Sequence, residues 1–442
     1  MSAIAEILHK KGHFVSGSDS TEKNSTNHLK NLGIEVFIGH SEENVKSPDI
    51  VVYTSAIPND NPELKKAKEK CPKCMVRSQM LGSIMSSFNH KIAVSGVHGK
   101  TTTTTLVDSI LSKAGNDLTS MIGTAVKEFG GGNARMGKGN DIFLTEACEA
   151  FESFLDLYPS IAIITNIDAD HLDYYGSIEK IEEAFKKFCV ENLDVDGTII
   201  FCNDNKRLRK IVKESNKKAV SFGINENADF KAQNIKTYTN YITFDVYSFG
   251  KFWSNFRINM YGTHNVLNSL AAIACANQFG VEKDIIKKAL ENFIMPRRRF
   301  NILYNKDIMI VDDYAHHPTE IKSTLEALRN HHPERKVIAV FQPHLYSRTQ
   351  FHLNEFVKSL SIADEVIVTD IYAAREQPIK GITGEMVNKK IQDKYGKEKA
   401  IYMPKDKICK YLLEISEKGH IIIILGAGDI NSVCNEMCEH YK

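Results

Sequence analysis

The segment from Lys91 to Thr105, KIAVSGVHGKTTTTT, constrains the fold of this chain more than any other stretch. Its apolar start predicts a buried strand, and the threonine run with the apolar residues behind it predicts a helix. A glycine loop between strand and helix, ending in Gly-Lys-Thr, cradles nucleotide phosphates with backbone N–H groups. The alternative is a turn that holds Gly and Lys by chance, and the strand and helix flanks argue against it. The segment therefore predicts an α/β domain that binds a nucleoside triphosphate.

Each part of this loop has an expected role. Lys100 is expected to reach the terminal phosphates, and a threonine hydroxyl to ligate Mg²⁺. The loop is shorter than the common GxxxxGK[ST] pattern, because Val94 stands where the first glycine would be. That difference indicates a distinct subgroup of ATP-using proteins. The residues expected to contact the nucleotide are Gly96, Val97, His98, Gly99, Lys100, Thr101 and Thr102.

The composition excludes several classes of protein. Lys and Arg total 56 against 55 Asp and Glu, so no net charge favours nucleic acid or a membrane surface. No apolar run approaches the roughly 20 residues that span a bilayer, and the N-terminus lacks the pattern of a signal peptide. Nine cysteines without regular spacing predict reduced thiols in a cytoplasmic protein. Cys71 and Cys74 form a CxxC without a second pair or a nearby His, which disfavours zinc.

The order of predicted elements divides the 442 residues into three domains. Residues 1–90 alternate helices and short strands in a small α/β unit. Residues 91–295 begin with the nucleotide loop and include, from Asn234 to Met260, alternating aromatic-rich segments typical of antiparallel hairpins. The Pro-Arg-Arg-Arg run at 296–299 then marks a boundary, and residues 296–442 again alternate strands and helices. Apolar runs flanked by helices indicate parallel sheets covered on both faces.

Polar side chains follow nearly every predicted strand. In open α/β sheets, ligands gather at the carboxyl ends of the strands, so these side chains are expected to line a shared cleft. Glu146 and His171 each follow a strand of the middle domain, and a carboxylate with an imidazole beside phosphates suits a divalent cation. The residues after the strands are Glu146, Asn166, Asp168, Asp170, His171, Asp173, Asp312, Asp313, Tyr314, His316, His317, Gln342, His344, Tyr346, Arg348, Asp370, Tyr372, Arg375 and Glu376. The same set includes His264, Asn265 and Asn268, which are predicted to begin a helix.

Several of these positions also have a purely structural interpretation. Asp168 and Asp170 are suited to capping the helix that follows them. Asn265 and Asn268 would cap and pack at the start of their own helix. The arginine run at 297–299 is either a solvated hinge or a source of paired donors for phosphate. The second interpretation is favoured, because guanidinium matches the geometry of phosphate.

Nine segments of the chain occur in an order that resembles the Mur ligase family. They are GVHGKTTTT, TEACEA, TNIDADHLDYY, YGTHNVLN, PRRRF, DDYAHHPTEI, FQPHLYSRT, IYAAREQPIKG and GAGDI. The glycine loop and the segment YGTHNVLN resemble all Mur ligases and the folylpolyglutamate synthetases, whereas the sixth to eighth segments resemble the alanine-adding branch. The resemblance implies an α/β architecture of three domains. These are an N-terminal Rossmann-like UDP-sugar domain, a central P-loop ATPase domain with added antiparallel strands, and a C-terminal Rossmann-like domain that binds the amino acid.

The resemblance also implies the reaction, which is an ADP-forming ligation in peptidoglycan precursor synthesis. ATP phosphorylates the lactyl carboxylate of UDP-N-acetylmuramate, and the amine of L-alanine attacks the resulting acyl phosphate. Three alternatives remain open. The chain could be a murein tripeptide-recycling ligase of the same family, a P-loop switch or motor ATPase without ligase activity, or an inactive binding protein derived from the ligase.

By the same resemblance, Lys100 and a Mg²⁺ near Thr101 neutralise the transferring phosphoryl group. A second Mg²⁺ on Glu146 and His171 bridges the γ-phosphate and the substrate carboxylate. The other implied contacts are adenine and nucleotide binding by Asn265 and Asn268, phosphate and intermediate binding by Arg299 and Arg348, amino-acid binding by Tyr314, His316, His344 and Tyr372, and nucleotide-sugar binding by Asp19 and Ser55.

Three departures from the family pattern stand out. The family's acidic EADES motif reads EACEA here, so Cys148 replaces a carboxylate, and Leu345 replaces a possible alanine contact. The family also opens with a strand and a GxGGxGM loop that holds the uridine diphosphate, and this chain begins at Met1 where that motif ends. From this we expect the chain to start at an internal methionine of a longer reading frame.

Overall fold

The computed structural model describes residues 1–374 and 376–441, so Arg375 of the predicted polar cluster lies outside the described residues. The chain forms two compact units. Unit 1 comprises Met1–Ile167, Glu182–Phe222 and Ala271–Ile286, and unit 2 comprises Asp168–Ile181, Gly223–Leu270 and Lys287–Lys442. The predicted domain boundaries after residues 90 and 295 stay predictions, because the two units are not divided at these positions. Among the described residues, none of the helices combines the length and the apolar character that crossing a bilayer requires.

The first ninety residues form two separate pairs of parallel strands with helices beside them. Their elements are α1 (Ser2–Lys10), β1 (Ser16–Asp19), α2 (Asn24–Asn31), β2 (Glu35–Ile38), β3 (Ile50–Tyr53), α3 (Pro62–Lys70), β4 (Lys73–Val76) and α4 (Arg77–Met85), with a 3-10 turn at Glu42–Asn44. Strand β1 pairs with β2, and β3 pairs with β4. Helix α3 begins as expected from Asn61-Pro62, because the Asn61 side chain accepts a hydrogen bond from the backbone N–H of Leu64 at 3.1 Å.

The nucleotide loop lies in a mainly parallel sheet of unit 1. The elements of residues 90–223 are β5 (His90–Ser95), α5 (Lys100–Lys113), β6 (Leu118–Met121), β7 (Ala134–Arg135), β8 (Ile142–Glu146), β9 (Ile161–Ile164), α6 (Leu172–Tyr175), α7 (Ile178–Lys187), β10 (Thr198–Cys202), α8 (Lys206–Ser215) and β11 (Lys218–Gly223), with 3-10 turns at Lys127–Phe129 and Ala150–Asp156 and a π-helix at Phe188–Asn192. The strand order is β11-β10-β9-β5-β8-β6-β7. Only β7 is antiparallel to its neighbour in this set of strands.

The apolar runs in DIFLTEA, IAIITNI and GTIIFCN are typical of buried strands, and they form β8, β9 and β10. Strand β9 is buried along its whole length, and so is β10. Burial on both faces is why these strands are continuous apolar runs rather than alternating ones. Their carboxyl ends lie at the same edge of the sheet as the nucleotide loop.

The aromatic-rich stretch of unit 2 forms the predicted antiparallel hairpins. Its strands are β12 (Phe230–Tyr238), β13 (Tyr241–Ser248) and β14 (Lys251–Ile258), and the helices that follow are α9 (Thr263–Gln278) and α10 (Lys283–Glu291). Ile242, Phe244 and Val246 are buried and alternate with half-buried residues along β13. One face of this sheet is therefore apolar, which is the period-2 pattern that the sequence displays.

The C-terminal part of unit 2 is a six-stranded sheet. Its elements are β15 (Asn301–Asn305), β16 (Met309–Asp313), α11 (Pro318–His331), β17 (Val337–Phe341), α12 (Tyr346–Phe351), α13 (Leu353–Leu360), β18 (Glu365–Val368), α14 (Gly384–Tyr395), β19 (Ala400–Tyr402), α15 (Lys405–Ile415), β20 (Ile421–Leu425) and α16 (Ser432–His440), with a 3-10 turn at Lys397–Lys399. The order is β15-β16-β20-β17-β18-β19, with β15 antiparallel and the others parallel. The polar clusters after β16, β17 and β18 therefore lie at one edge, as predicted.

Candidate active site

The loop between β5 and α5 has a backbone that only glycine accommodates at its first position. Gly96 has a φ of +124°, and Gly99 has a φ of +84° where it precedes α5. A Cβ on Gly96 would lie 2.1 Å from the hydroxyl oxygen of Thr165. Gly96 is therefore needed both for its left-handed backbone and for the close approach of the end of β9.

Two residues at the end of β9 hold this loop in place. The backbone N–H of His98 donates to the Asn166 side-chain oxygen at 2.9 Å, and the Asn166 amide donates back to the His98 carbonyl at 2.9 Å. The Thr165 hydroxyl donates to the same carbonyl at 2.6 Å. Asn166 stands in the predicted cluster of polar residues after β9, and in this structure it supports the loop.

Lys100 is buried in the loop and paired with a carboxylate. Its Nζ donates to the carbonyls of Gly96 and Val97 at 2.6 and 3.1 Å and to Oε2 of Glu149 at 2.7 Å. Burial alone would lower the pKa of Lys100, but the Glu149 carboxylate outweighs it and the pKa is raised. The loop therefore presents a permanent cation where the terminal phosphates are expected.

Glu149 is a site residue that the sequence analysis missed. It lies in the EACEA segment directly after Cys148, where the family motif has a further acidic residue. Cys148 itself is exposed, whereas Glu149 is only 2% exposed and forms the ion pair with Lys100. The available signal was a second carboxylate three residues after Glu146, but the sequence pattern did not indicate that its partner is Lys100.

Thr101 and Glu146 together offer oxygen ligands at the phosphate loop. The Thr101 hydroxyl donates to Oε2 of Glu146 at 3.0 Å, and the backbone N–H of Gly123 donates to Oε1 at 2.6 Å. A hydroxyl and a carboxylate at this position are the hard donors that Mg²⁺ prefers, so these two residues fit the ion. The predicted partner of Glu146, His171, belongs to unit 2, and their joint metal site stays a prediction.

A buried ion pair forms the centre of the polar cluster in unit 2. Oδ1 of Asp170 accepts hydrogen bonds from Nε and Nη2 of Arg348 at 3.0 and 2.9 Å, and Nη1 of Arg348 lies 3.0 Å from Nδ1 of His344. Burial would raise the pKa of Asp170, but the Arg348 guanidinium holds it well below its usual range. The structure thus brings together Arg348 and His344, two of the predicted site residues.

A row of rings extends from His344 in both directions. The ring centroids of His344 and Tyr372 are 5.8 Å apart, those of His316 and His344 are 5.7 Å apart, and those of Tyr314 and His316 are 5.1 Å apart. The guanidinium of Arg299 lies 5.1 Å from the centroid of the Tyr314 ring. Unit 2 therefore gathers the residues predicted to bind the amino acid and the reaction intermediate.

His316 is neutral within this row. Burial lowers its pKa to about 3, and the nearby Arg348 cation acts in the same direction, although Glu320 opposes both. Its Nδ1 lies 3.0 Å from the Tyr314 carbonyl oxygen and 3.3 Å from Oε2 of Glu320. Both neighbours are acceptors, so Nδ1 carries the proton and Nε2 is left with the lone pair.

The remaining predicted contacts are less distinctive. Asn265 is buried, its amide donates to the Tyr261 carbonyl at 2.7 Å, and its oxygen accepts from the Asn268 amide at 3.0 Å. These bonds match the capping and packing interpretation, and contacts with the nucleotide stay predictions for both residues. Asp19 at the end of β1 accepts a hydrogen bond from Lys23 at 2.8 Å, and Ser55 is exposed two residues after β3. Their role toward a nucleotide sugar also stays a prediction.

Family profiles and related proteins agree with this geometry. The profile described as the Mur ligase family, catalytic domain, matches residues 1–89, that of the Mur ligase middle domain matches 94–276, and that of the Mur ligase glutamate ligase domain matches 298–428. A UDP-N-acetylmuramate–L-alanine ligase of Alkaliphilus metalliredigens is 44% identical over 435 residues, which cover 97% of this chain and 93% of the relative. The chain belongs to the Mur ligase family.

Solved structures show that this Mur ligase has the three-domain architecture expected of the family. The crystal structure of the UDP-N-acetylmuramate-alanine ligase MurC of Thermotoga maritima matches with a TM-score of 0.83 and 29% identity, over 100% of this chain and 96% of that one. A murein peptide ligase of Psychrobacter arcticus matches with a TM-score of 0.69 and 24% identity, over 99% of this chain and 96% of that one. The second likeness concerns the fold alone. The predicted α/β fold class is confirmed.

Proposed function

We propose that this Mur ligase joins L-alanine to the lactyl carboxylate of UDP-N-acetylmuramate, with conversion of ATP to ADP and phosphate. The observation that carries the proposal is the pair of sites just described. One is a phosphate loop with a buried lysine, and the other is a cluster of arginine, histidine and tyrosine side chains. The relative of Alkaliphilus metalliredigens, which bears the name of this reaction, supports the same conclusion. The proposal includes a cytoplasmic location for the reaction and no nucleic acid or membrane partner.

Acyl phosphate formation places two negative groups against each other. The substrate carboxylate attacks the γ-phosphorus of ATP, and the repulsion between carboxylate and phosphate oxygens must be offset by fixed positive charge. Lys100 supplies one charge, and the backbone N–H groups at the start of α5 supply a partial one. The Gly96 and Val97 carbonyls and the Glu149 carboxylate engage the three N–H donors of Lys100, so one of these bonds is exchanged when the phosphates arrive.

Mg²⁺ fits the oxygen donors of the phosphate loop. We assign Thr101 and Glu146 to holding it, and the second ion that the resemblance implies, on Glu146 and His171, stays a prediction. When bound, the ion neutralises charge on the phosphates and on the carboxylate that attacks them. The residues of the phosphate loop bind and orient ATP.

The second half of the reaction needs positive charge at the tetrahedral centre. The amine of L-alanine adds to the acyl phosphate carbonyl, and the resulting oxyanion then expels phosphate. Arg348 and Arg299 are two cationic donors of the polar cluster in unit 2, and we assign them to the intermediate and the leaving phosphate. His316 is neutral, so we assign it with Tyr314 and His344 to orienting the amino acid rather than to stabilising charge.

The test is phosphate release with UDP-N-acetylmuramate and ATP, comparing L-alanine, glycine, L-serine, a tripeptide and no amine. We expect release to require an amine and to be fastest with L-alanine. Preference for the tripeptide would indicate the peptide-recycling ligase instead. Undiminished release without an amine or without the nucleotide sugar would indicate an ATPase and would contradict the proposal.

A further inference from the structure

The carboxylate of Asp170 holds two other site residues at once. Its Oδ1 accepts hydrogen bonds from the backbone N–H of His171 at 2.8 Å and from Nε and Nη2 of Arg348. Its Oδ2 accepts a second bond from Nη2 of Arg348 at 3.2 Å. Asp170 is 7% exposed and Arg348 is 5% exposed, so water competes little with these bonds. The arrangement joins residues that are 178 positions apart in the chain.

The three hydrogen bonds from Nε and Nη2 of Arg348 to the Asp170 carboxylate determine how Arg348 presents its remaining donors. A carboxylate that binds both Nε and Nη2 fixes the plane of the guanidinium. The free edge of that plane, Nη1, is then directed at His344, where Nδ1 lies 3.0 Å away. Without a carboxylate partner, the long arginine side chain would populate several rotamers, and its buried charge would be unpaired.

The same carboxylate supports an unusual backbone at His171. This residue has a φ of +52°, in the left-handed region that non-glycine residues seldom adopt. The bond from its N–H to Asp170 is part of what holds it there. The segment is held further by His317, whose Nε2 lies 3.0 Å from the Ala169 carbonyl, and by Thr319, whose hydroxyl donates to Asp168 at 2.7 Å.

We propose that Asp170 is a positioning residue for the ligation step, which presets the guanidinium of Arg348 and fixes the backbone of His171. This inference rests on the proposed ligase function and adds a residue that acts through another one. We expect removal of the carboxylate to leave ATP binding at the phosphate loop in place, because Lys100 bonds to Glu149, and Thr101 and the Gly123 N–H bond to Glu146. Without the carboxylate, the Arg348 guanidinium loses its fixed orientation, and its charge is needed only when the tetrahedral intermediate forms.

The test is a set of kinetic measurements on Asp170→Asn, Asp170→Glu, Arg348→Ala and the double variant Asp170→Asn/Arg348→Ala. We expect Asp170→Asn to lower kcat about tenfold or more while KM for ATP stays within about twofold. The double variant should be about as slow as Arg348→Ala alone, because both changes remove the same interaction. Asp170→Glu keeps the negative charge and should have a higher kcat than Asp170→Asn. If Asp170→Asn does not fold, Asp170→Glu replaces it in the comparison with wild type.

The matched control is Asp364→Asn, which removes another aspartate of unit 2 that accepts bonds from one backbone N–H and one arginine. Asp364 accepts from the Val337 N–H at 2.7 Å and pairs with Arg329 at 2.6 Å. It should keep kcat within about twofold. Equal kcat for wild type and Asp170→Asn, or losses that multiply in the double variant, would overturn the inference.

A readout independent of activity separates this inference from the proposed function. In the NMR spectrum of the wild-type protein, the Nε–H of Arg348, identified by its loss in Arg348→Lys, should exchange slowly with water. Asp170→Asn should make that exchange at least about tenfold faster. Unchanged exchange would refute the role of Asp170 even if the wild type is a ligase. A wild type with slow exchange but no L-alanine ligation would refute the function and leave the positioning role supported.

Discussion

At the scale of single residues, the phosphate loop depends on a buried charge that is balanced before any ligand arrives. Lys100 is paired with Glu149 at 2.7 Å, and both side chains are largely removed from water. A buried lysine without such a partner would tend to lose its proton. The pairing therefore keeps Lys100 charged, and the transferring phosphoryl group can use that charge without paying for its creation.

Replacing Lys100 with alanine removes this preorganised charge. We expect Lys100→Ala to lower ligase turnover on the order of 10² to 10³, the cost of losing one such donor. Steady-state assays with saturating L-alanine measure the effect. Lys91→Ala is the control, because Lys91 lies on β5, the strand before the loop, and its Nζ pairs with Asp194 at 2.8 Å. Turnover above about a tenth of wild type would show that Lys100 does not have this role.

The predicted metal role of His171 has a distinct signature. His171→Ala should raise the Mg²⁺ concentration needed for half-maximal activity and leave ATP binding mostly intact, because an imidazole ligand would be lost while the phosphate loop remains. Activity against Mg²⁺ concentration, together with calorimetric titration of ATP, measures both quantities. His440→Ala, at the end of α16, serves as the control. An unchanged Mg²⁺ dependence would count against ligation by His171.

At the scale of elements, the phosphate loop takes its shape from the adjacent strand. The turn after β5 is glycine-rich, but the bonds that hold it come from Thr165 and Asn166 after β9. Gly96 passes so close to Thr165 that there is no room for a side chain. The shape of the loop therefore depends on β5, β9 and the start of α5. It is sensitive to substitutions where Gly96 approaches Thr165.

Gly96→Ala should disrupt this loop. The new Cβ would clash with Thr165, and the left-handed backbone adds a strain of about 1–3 kcal/mol. We expect ATP affinity to fall more than tenfold in calorimetric titration. Gly115→Ala is the matched control, because Gly115 also has a positive φ, of +83°, but has no atom within 4 Å of the new Cβ. It should lower stability and leave ATP affinity unchanged, and equal losses in the two variants would contradict the clash.

At the scale of the whole molecule, stability depends on carboxyl groups that folding removes from water. Asp108 on α5 is completely buried, its Oδ1 accepts a 2.5 Å bond from Ser120, and its Oδ2 lies 3.1 Å from Arg135. Burial outweighs the arginine and raises its pKa to about 6. Between about pH 4 and pH 6 the folded state therefore keeps a proton that the unfolded chain has released, so this group's contribution to stability falls as pH rises through that window.

Asp108→Asn should remove that dependence. The free energy of unfolding of the variant relative to wild type should increase by about 2–3 kcal/mol between pH 4 and pH 7. Denaturant unfolding at several pH values measures the difference. For Asp364→Asn, the free energy of unfolding relative to wild type should instead decrease as pH rises. Partial burial would raise the pKa of Asp364, but hydrogen bonds from Val337 and Arg329 outweigh it and lower that pKa. A difference for Asp108→Asn that does not vary with pH would refute the assignment.

Much of the architecture follows from the sequence because its signals are local. Apolar runs bounded by helices predict buried parallel strands, and β8, β9, β10, β16, β17, β18 and β20 are where those runs indicate. The alternating aromatic segments predict the hairpins β12 to β14 for the same reason. In residues 1–90 the sequence indicates β1 and β3 but not their partners β2 and β4, in which short apolar segments carry little periodic signal.

The sequence by itself determined the strand–loop–helix, the fold class and the residue types at the strand ends, because each depends on neighbours within a few positions. Only the tertiary structure decided how those side chains are used. In the folded protein Asp170 pairs with Arg348, Glu149 pairs with Lys100, and the amide of Asn265 donates a hydrogen bond to the Tyr261 carbonyl. These partners come from segments whose approach depends on strand order and packing, and a hydrogen bond depends on distances that spacing along the chain does not specify.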